Sequence, residues 1–488
     1  MVPDHLNLMR RLDAQAQAHP DKVALVDGER SWTFAALNTA VAKAAGALRS
    51  VGVGIGDRLG VCLRDHADHL VIRFAAARAG ITVLPMDWRL PLAARAEVAA
   101  QFRLATVFTE VNAAIAGVHC LSLDDAWHSQ VAGSHPASFV DDPELPFVLN
   151  LSSGTTGTPK AAIVTHRNYH ARIRNNVAAF GSAGDLRYLS ASPLYFSAGS
   201  HFCLTTLLQG GTVVLYPPLF GPEEYVDAVR DHDITMAFLV PTALRWLIAL
   251  PNDGRPLLPS LEVLLAAAAP LTADERRQIV ARVTPNLYDM FGSAGGGVIT
   301  TLCPPDIAHH ADTVGRAWGD VELQVVDDAG EPLATGATGR VRLRGAGVAT
   351  AWFNTADAAT SSESVDHGWL HTGDLGSLDA AGYLTLKGRA DDVIVRGGVN
   401  VYPDVVESAL RRCAGVADVG VVGRATGNGD PEIVAFVLPD AEQPASGAAL
   451  HAHCRSVLPT WMQPAEIRLV DDLPRTTSGK IRRRDLLS

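Results

Sequence analysis

The chain has 488 residues and a formal charge of −11, from 41 Lys and Arg against 52 Asp and Glu. That acidic balance excludes a general nucleic-acid binder, which needs a basic surface, but leaves room for a local basic pocket. Hydrophobic residues at 48% and charged residues at 19% suffice for about three domains or subdomains and exclude disorder.

The N-terminus, Met1-Val2-Pro3-Asp4-His5, has no basic or apolar region of the kind a signal peptide needs. Ala35 to Ser50 is Ala-rich and predicts a helix. Asp57 to Leu63 predicts an apolar strand, His69 to Ala79 a helix, and Ile81 to Pro85 a further strand. Strands alternating with helices of this length predict a parallel, doubly wound sheet. The alternation resumes at Thr212 to Leu215, Met236 to Leu239 and Val263 to Leu265. The most apolar long stretch, Ile234 to Leu250, is broken by Pro241 and Arg245 and is too polar for a membrane span. From Gly315 the pattern changes to period-two strands with Asp/Gly turns, at Val321 to Val326 and Gly339 to Gly345, which predicts a small antiparallel or barrel-like unit. A last α+β segment runs from about Asp392 to Ser488. The six cysteines, with no CxxC pair, read as free thiols in a reducing cytoplasm.

Three segments carry chemistry. Leu151-Ser152-Ser153-Gly154-Thr155-Thr156-Gly157-Thr158-Pro159-Lys160 follows the apolar strand Phe147 to Asn150. Glycines let backbone N–H groups converge, hydroxyls add donors and the lysine adds a point charge, the chemistry of a phosphate cradle, although a Ser/Thr/Gly run also forms flexible surface turns. The lysine follows a proline, so this is not a Walker A loop. Trp369-Leu370-His371-Thr372-Gly373-Asp374-Leu375 offers an Asp that accepts a ribose diol, although an Asp in this setting also caps helices or makes Asx turns. Gly388-Arg389-Ala390-Asp391-Asp392 follows. Near the end, Leu473-Pro474-Arg475-Thr476-Thr477-Ser478-Gly479-Lys480-Ile481 presents a lysine leaving a Gly-containing loop.

In this order and spacing, these segments resemble the adenylate-forming superfamily of acyl-CoA synthetases, adenylation domains and luciferases, most closely the acyl- and aryl-CoA ligases. The resemblance implies an α/β fold. Doubly wound sheets and a small barrel-like subdomain form a large N-terminal domain (1–387). A hinge (388–391) leads to a small, mobile α+β C-terminal domain (392–488) carrying the catalytic lysine. It also implies a two-step reaction in which carboxylate and ATP give an acyl-adenylate and pyrophosphate, and a thiol then gives a thioester and AMP. ATP, Mg²⁺ and coenzyme A, or the phosphopantetheine of a carrier protein, are the implied cofactors.

Residue by residue, Ser152 to Thr158 (Ser152, Ser153, Gly154, Thr155, Thr156, Gly157, Thr158) and Lys160 hold the triphosphate in this resemblance. Asp374 takes the ribose, and Arg389 the ribose or α-phosphate. Lys480 bridges the attacking carboxylate and the α-phosphate. Lys480, Lys160 and Arg389 are the implied catalytic residues. Ala267, Ala268 and Ala269 stand where the family has a Gly-Gly-Ala adenine wall, with Phe291, Gly292 and Ser293 nearby on the nucleotide. Asp391 is the pivot, and Gly397-Gly398 faces the pantetheine.

The sequence departs from the family at Phe291-Gly292-Ser293-Ala294-Gly295. Ala294 stands for a Thr that contacts the α-phosphate and Gly295 for a Glu that helps hold Mg²⁺, leaving an unusual or slow enzyme, or a weak nucleotide-binding homologue. Phe196 replaces a frequent His, so the acid pocket of Phe196, Ser197, Ala198, Met290, Phe291 and Gly297 suits a small apolar or aromatic acid. Met462-Gln463-Pro464 has the form of carrier-protein-loading relatives, which keeps CoA and a carrier protein both open as acceptor. No metal-ligand set is expected: Asp65-His66-Ala67-Asp68-His69 and His451-Ala452-His453-Cys454 lack partner motifs. No nucleic acid and no membrane are expected as partners, and the chain is a monomer or homodimer.

Overall fold

A computed structural model describes the chain except residues 1–2, 111–112, 153–159, 181–182, 218–219, 252, 354–362, 397–398, 427–430, 442, 476–480 and 488; at 152, 183 and 363–364 it describes the backbone alone. The Ala-rich segment forms the helix Phe34–Ser50, started by Thr33, whose side chain accepts from the Ala36 N–H at 3.2 Å. It buries Phe34, Leu37, Val41, Ala44, Ala45 and Leu48. The next helix, Ala67–Arg78, buries Ala75, Ala76 and Ala77, small residues that let the two helices approach closely. Each fully buried Leu, Val or Phe here stabilises by about 1.5–3 kcal/mol, so Phe34→Ala removes one of the larger single contributions.

Two large sheets follow from the apolar strands. In the seven-stranded sheet Arg58–Cys62 lies between the parallel strands Thr82–Pro85 and Thr106–Thr109. Pro146–Ser152 joins it in parallel, and Lys160–Thr165 turns back antiparallel. The nine-stranded sheet has a parallel centre made by Thr212–Leu215, Arg187–Ser190, Met236–Leu239, Val263–Ala266 and Leu287–Ser293. Gly297–Leu302 folds back on the last of these as a hairpin. All four residues of Met236–Leu239 and of Val263–Ala266 are buried, as expected for strands covered on both faces. The period-two segment forms an antiparallel five-stranded sheet of Glu322–Val326, Gly339–Arg344, Trp369–Leu378, Glu363–Asp366 and Leu384–Arg389.

From Ile394 onward the described strands pair only among themselves. Val416–Arg424 and Glu432–Pro439 are antiparallel, Glu466–Leu469 adds in parallel, and helices Pro403–Arg411 and Gly447–Val457 pack near them around Val406, Leu410, Val421, Ile433 and Leu450. The C-terminal tail is tied in by charge. Arg483 reaches Asp392 at 2.6 Å and Glu407 at 3.0 Å, and also pairs with Asp404. Arg475 reaches Asp418 at 2.6 Å. These pairs fix the ends of the lysine-bearing tail and the first residue after the expected pivot on one small body. All six cysteines are free thiols, three of them buried.

Candidate functional site

The phosphate loop's two ends are adjacent, because Ser152 pairs with Lys160 across an antiparallel ladder. Lys160 is 6% exposed and makes no ion pair among the described residues. An ammonium buried without a carboxylate nearby favours an anionic ligand. Ser153, Gly154, Thr155, Thr156, Gly157, Thr158, Lys480, Gly397 and Gly398 lie outside the described residues, and only the backbone of Ser152 is described.

Asp374 is a strand residue and not at a helix start. It sits inside the strand Trp369–Leu378 and pairs directly with Arg389 of Leu384–Arg389. Gly373, at φ +74°, takes up the irregularity, and Thr372 Oγ1 accepts the Asp374 N–H at 3.0 Å. The Arg389 guanidinium lies 3.5 Å from the Asp374 carboxylate and donates to the Thr372 carbonyl at 2.7 Å. A carboxylate and a guanidinium side by side offer acceptors to a diol and a donor fork to a phosphate. Asp391 lies in the single 3-10 turn Ala390–Asp392 directly after that strand.

Strand alternation separates two of the expected acid-pocket residues. Met290 joins the large apolar cluster that also takes in Ala198, Ala267 and Ala294. Phe291, on the opposite face, packs toward the antiparallel sheet with Ile299, Leu343 and Leu370. Phe196 precedes the helix Ser197–Leu208, with Phe196, Ser197 and Ala198 all half-buried. Ala267, Ala268 and Ala269 follow the strand Val263–Ala266, and Ala268 holds φ +81°, a left-handed conformation that suits glycine. Gly292 and Ser293 end the strand Leu287–Ser293, and Gly297, at φ +67°, begins the returning one.

Several side chains that shape this region carry no motif. Asp65 accepts the Leu194 N–H at 2.5 Å and Arg73 donates to the Leu194 carbonyl at 2.9 Å, so two polar residues pin the segment before Phe196. His201 contacts Asn176 at 3.3 Å and Tyr169 at 3.4 Å, and burial pulls its imidazole down to about 3. Arg172, 7% exposed, donates to the carbonyls of Gly347 and Gly295, each at 2.8 Å. Burial lowers its guanidinium to about 10, so it stays charged at neutral pH. Asn150 donates to the Ala294 carbonyl at 3.3 Å. The helix His166–Phe180 is crowded with Arg, His and Asn, and spacing alone does not single out Arg172.

The histidine-rich segments make contacts within the fold. His66 meets Glu110 at 3.3 Å, buried His69 meets the Arg64 carbonyl at 3.0 Å, and His453 meets the Ala409 carbonyl at 2.9 Å. Among the described residues no three His, Cys, Asp or Glu gather as a metal site, and no helix is long and apolar enough to cross a membrane.

Residues 12–353 match the family model described as AMP-binding enzyme, and residues 405–480 match the AMP-binding enzyme C-terminal domain. The chain is 31% identical to a feruloyl-CoA synthase of Amycolatopsis over 96% of each chain. It is 29% identical to an indoleacetate–CoA ligase of Aromatoleum aromaticum, covering 99% of this chain and 98% of that one. Among solved structures, ATP-bound MatB from Rhodopseudomonas palustris superposes with a TM-score of 0.90 at 25% identity, covering 98% of each chain.

Proposed function

Because the chain belongs to the AMP-binding enzyme family, we propose from the site that it activates a small apolar or aromatic carboxylic acid with ATP and passes the acyl group to coenzyme A. It is an acid–thiol ligase. In the first step a carboxylate oxygen attacks the α-phosphorus and pyrophosphate leaves. In the second the thiol sulfur attacks the acyl carbon, its proton passes to solvent, and AMP leaves.

One observation carries the placement of the nucleotide. The turn at Gly295 lies where the two nucleotide-binding strands meet: a Cβ there would sit 3.6 Å from Ala162, two residues past Lys160, and 3.2 Å from Leu370, four residues before Asp374. Lys160 and the loop before it then take the β- and γ-phosphates, Asp374 the ribose hydroxyls, and Arg389 the ribose or α-phosphate. Phe291, Gly292, Ser293 and the segment Ala267 to Ala269 wall the adenine end, and Phe196, Ser197, Ala198, Met290 and Gly297 the acid. Mg²⁺ would enter with ATP, whose phosphates and bound water would supply most of its ligands. Lys480 serves the adenylating pose; rotation at Asp391 brings Gly397-Gly398 to the thiol.

ATP–pyrophosphate exchange across aryl, medium-chain and branched acids tests the first step, and thioester assays with coenzyme A and with a phosphopantetheinylated carrier protein test the second. Acid-dependent exchange followed by acyl-CoA is expected. Thioester on the carrier alone would reassign the acceptor, and no exchange with any acid would leave a nucleotide-binding homologue.

A further inference from the structure

The strand Arg187–Ser190 of the nine-stranded sheet runs into the helix Ser197–Leu208 through a short segment that ends at Phe196. Groups from the other sheet's side of the molecule hold that segment. Asp65, between the strand Arg58–Cys62 and the helix Ala67–Arg78, accepts the Leu194 N–H at 2.5 Å. Arg73 of that helix donates to the Leu194 carbonyl at 2.9 Å. The next residue, Tyr195, meets Arg89 through its hydroxyl, and both Asp87 carboxylate oxygens accept from Arg89 at 3.0 Å. Within the segment the Phe196 N–H donates to the Pro193 carbonyl at 3.0 Å. Gly199 packs so closely on it that a Cβ would lie 2.6 Å from Ser192 Cβ and 3.0 Å from the Pro193 carbonyl oxygen.

Arg73 is 1% exposed and makes no ion pair among the described residues, and its Nε has no hydrogen-bond partner there. A guanidinium buried without a carboxylate is costly, and an apolar side chain of similar volume would pack at no such cost. Burial also raises the Asp65 carboxyl above its usual range. The two charges do not pair with each other. Each holds one main-chain group of Leu194, a fully buried residue in the apolar cluster that includes Met290 and Ala198. Charge-assisted hydrogen bonds are strong and directional, so they fix a backbone position where apolar packing alone leaves it free to slide. Leu194 is two residues from Phe196, and what is fixed is the place of the Phe196 ring.

We propose that Asp65 and Arg73 are positioning residues for acid selection: by holding both main-chain groups of Leu194 they keep the Phe196 ring as a rigid wall, which sets the length of acid accepted. Neither touches the acid; both act through Leu194. This rests on the acid pocket assigned above and adds to it a way of rejecting acids that differ by a single methylene.

The experiment measures acid-dependent ATP–pyrophosphate exchange by the full chain over two homologous series, phenyl acids from benzoate to 4-phenylbutanoate and straight-chain acids from butanoate to octanoate. Wild type is expected to separate the best acid from its next longer homologue by about ten-fold or more in kcat/KM, as one methylene against a rigid wall does. Arg73→Met is expected to flatten that ratio to about three-fold or less and to leave the KM for ATP within about two-fold. Arg73→Lys, which keeps a charged donor, and Asp65→Asn, which keeps an acceptor, are expected to retain part of the discrimination. Gly199→Ala pushes on Ser192 without touching either charge and is expected to move the preferred length by a methylene or more. If Arg73→Met does not fold, the other three variants carry the test. An unchanged length ratio in the variants, or an equal loss for every acid, overturns the proposal, since a merely structural role predicts the latter. Wild type that takes neighbouring homologues equally well also overturns it and leaves the activity standing, whereas wild type that gives no exchange with any acid defeats the proposed function itself.

Discussion

Replacing Asp374 by Asn changes one charge and almost no volume, which makes it a sharp test of the ribose assignment. The carboxylate is 16% exposed and 3.5 Å from Arg389. Two ribose hydroxyls donating to it form charge-assisted bonds of about 1.5–3 kcal/mol each. Asn keeps one carbonyl acceptor and loses the charge, so about 2 kcal/mol of nucleotide affinity disappears, roughly thirty-fold in Kd. The guanidinium stays in place, because Arg389 still donates to the Thr372 carbonyl at 2.7 Å. Binding of AMP and of its 2′,3′-dideoxy analogue to wild type and to Asp374→Asn forms a complete cycle. Wild type is expected to favour the ribose by about 3 kcal/mol and the variant by about 1, a coupling of about 2 kcal/mol. A coupling near zero, with both ligands weakened alike, would show that Asp374 holds the strand pair together and does not hold the sugar.

Proline at Asp391 fixes φ within the turn Ala390–Asp392, so Asp391→Pro should release pyrophosphate normally in a single turnover while thioester output drops by about ten-fold or more; intact thioester turnover would move the pivot elsewhere. Burial pulls the imidazoles of His69, His166 and His201 from the usual 6.5 to about 3, so the folded chain stays neutral at positions the unfolded chain protonates. Their contribution is complete above pH 6.5 and is lost as pH falls toward 3, with a slope of about 1.4 kcal/mol per pH unit per histidine. Urea midpoints should therefore fall between pH 7 and pH 5, less steeply in His201→Gln, and a flat profile would contradict this. At Ala268, with φ +81°, glycine removes a left-handed strain of about 1–2 kcal/mol and adds back roughly 0.4–1 of unfolded-chain entropy. Ala268→Gly should raise stability by about 0.5–1 kcal/mol in urea titrations, and a lower midpoint would show that the alanine methyl packs usefully.

What the sequence made legible follows from short-range physics. Apolar runs such as Met236–Leu239 and Val263–Ala266 are strands because both faces are covered, and the Ala-rich run is the helix Phe34–Ser50 because alanine loses little entropy there. Asp374 is in the strand Trp369–Leu378 because Gly373 absorbs a bulge that local turn preferences do not anticipate. Met290 and Phe291 are neighbours in the chain yet pack on opposite faces, a consequence of pleating. Arg172 and Asn150 act through long-range contacts, to Gly347 and Gly295 and to Ala294, so nothing in their local sequence marks them. The same holds for Arg73 and Asp65, which pin Leu194 from distant helical and loop positions.

The central claim is that a carboxylate oxygen displaces pyrophosphate from the α-phosphorus of ATP before a thiol takes the acyl group. An acid that supports pyrophosphate exchange, labelled with ¹⁸O in its carboxylate, tests this directly when the products with coenzyme A are read by mass spectrometry. The account predicts AMP carrying one ¹⁸O per acyl-CoA formed, because the attacking oxygen stays on the phosphorus when sulfur displaces it. Unlabelled AMP, or ADP with the label in inorganic phosphate, would contradict it.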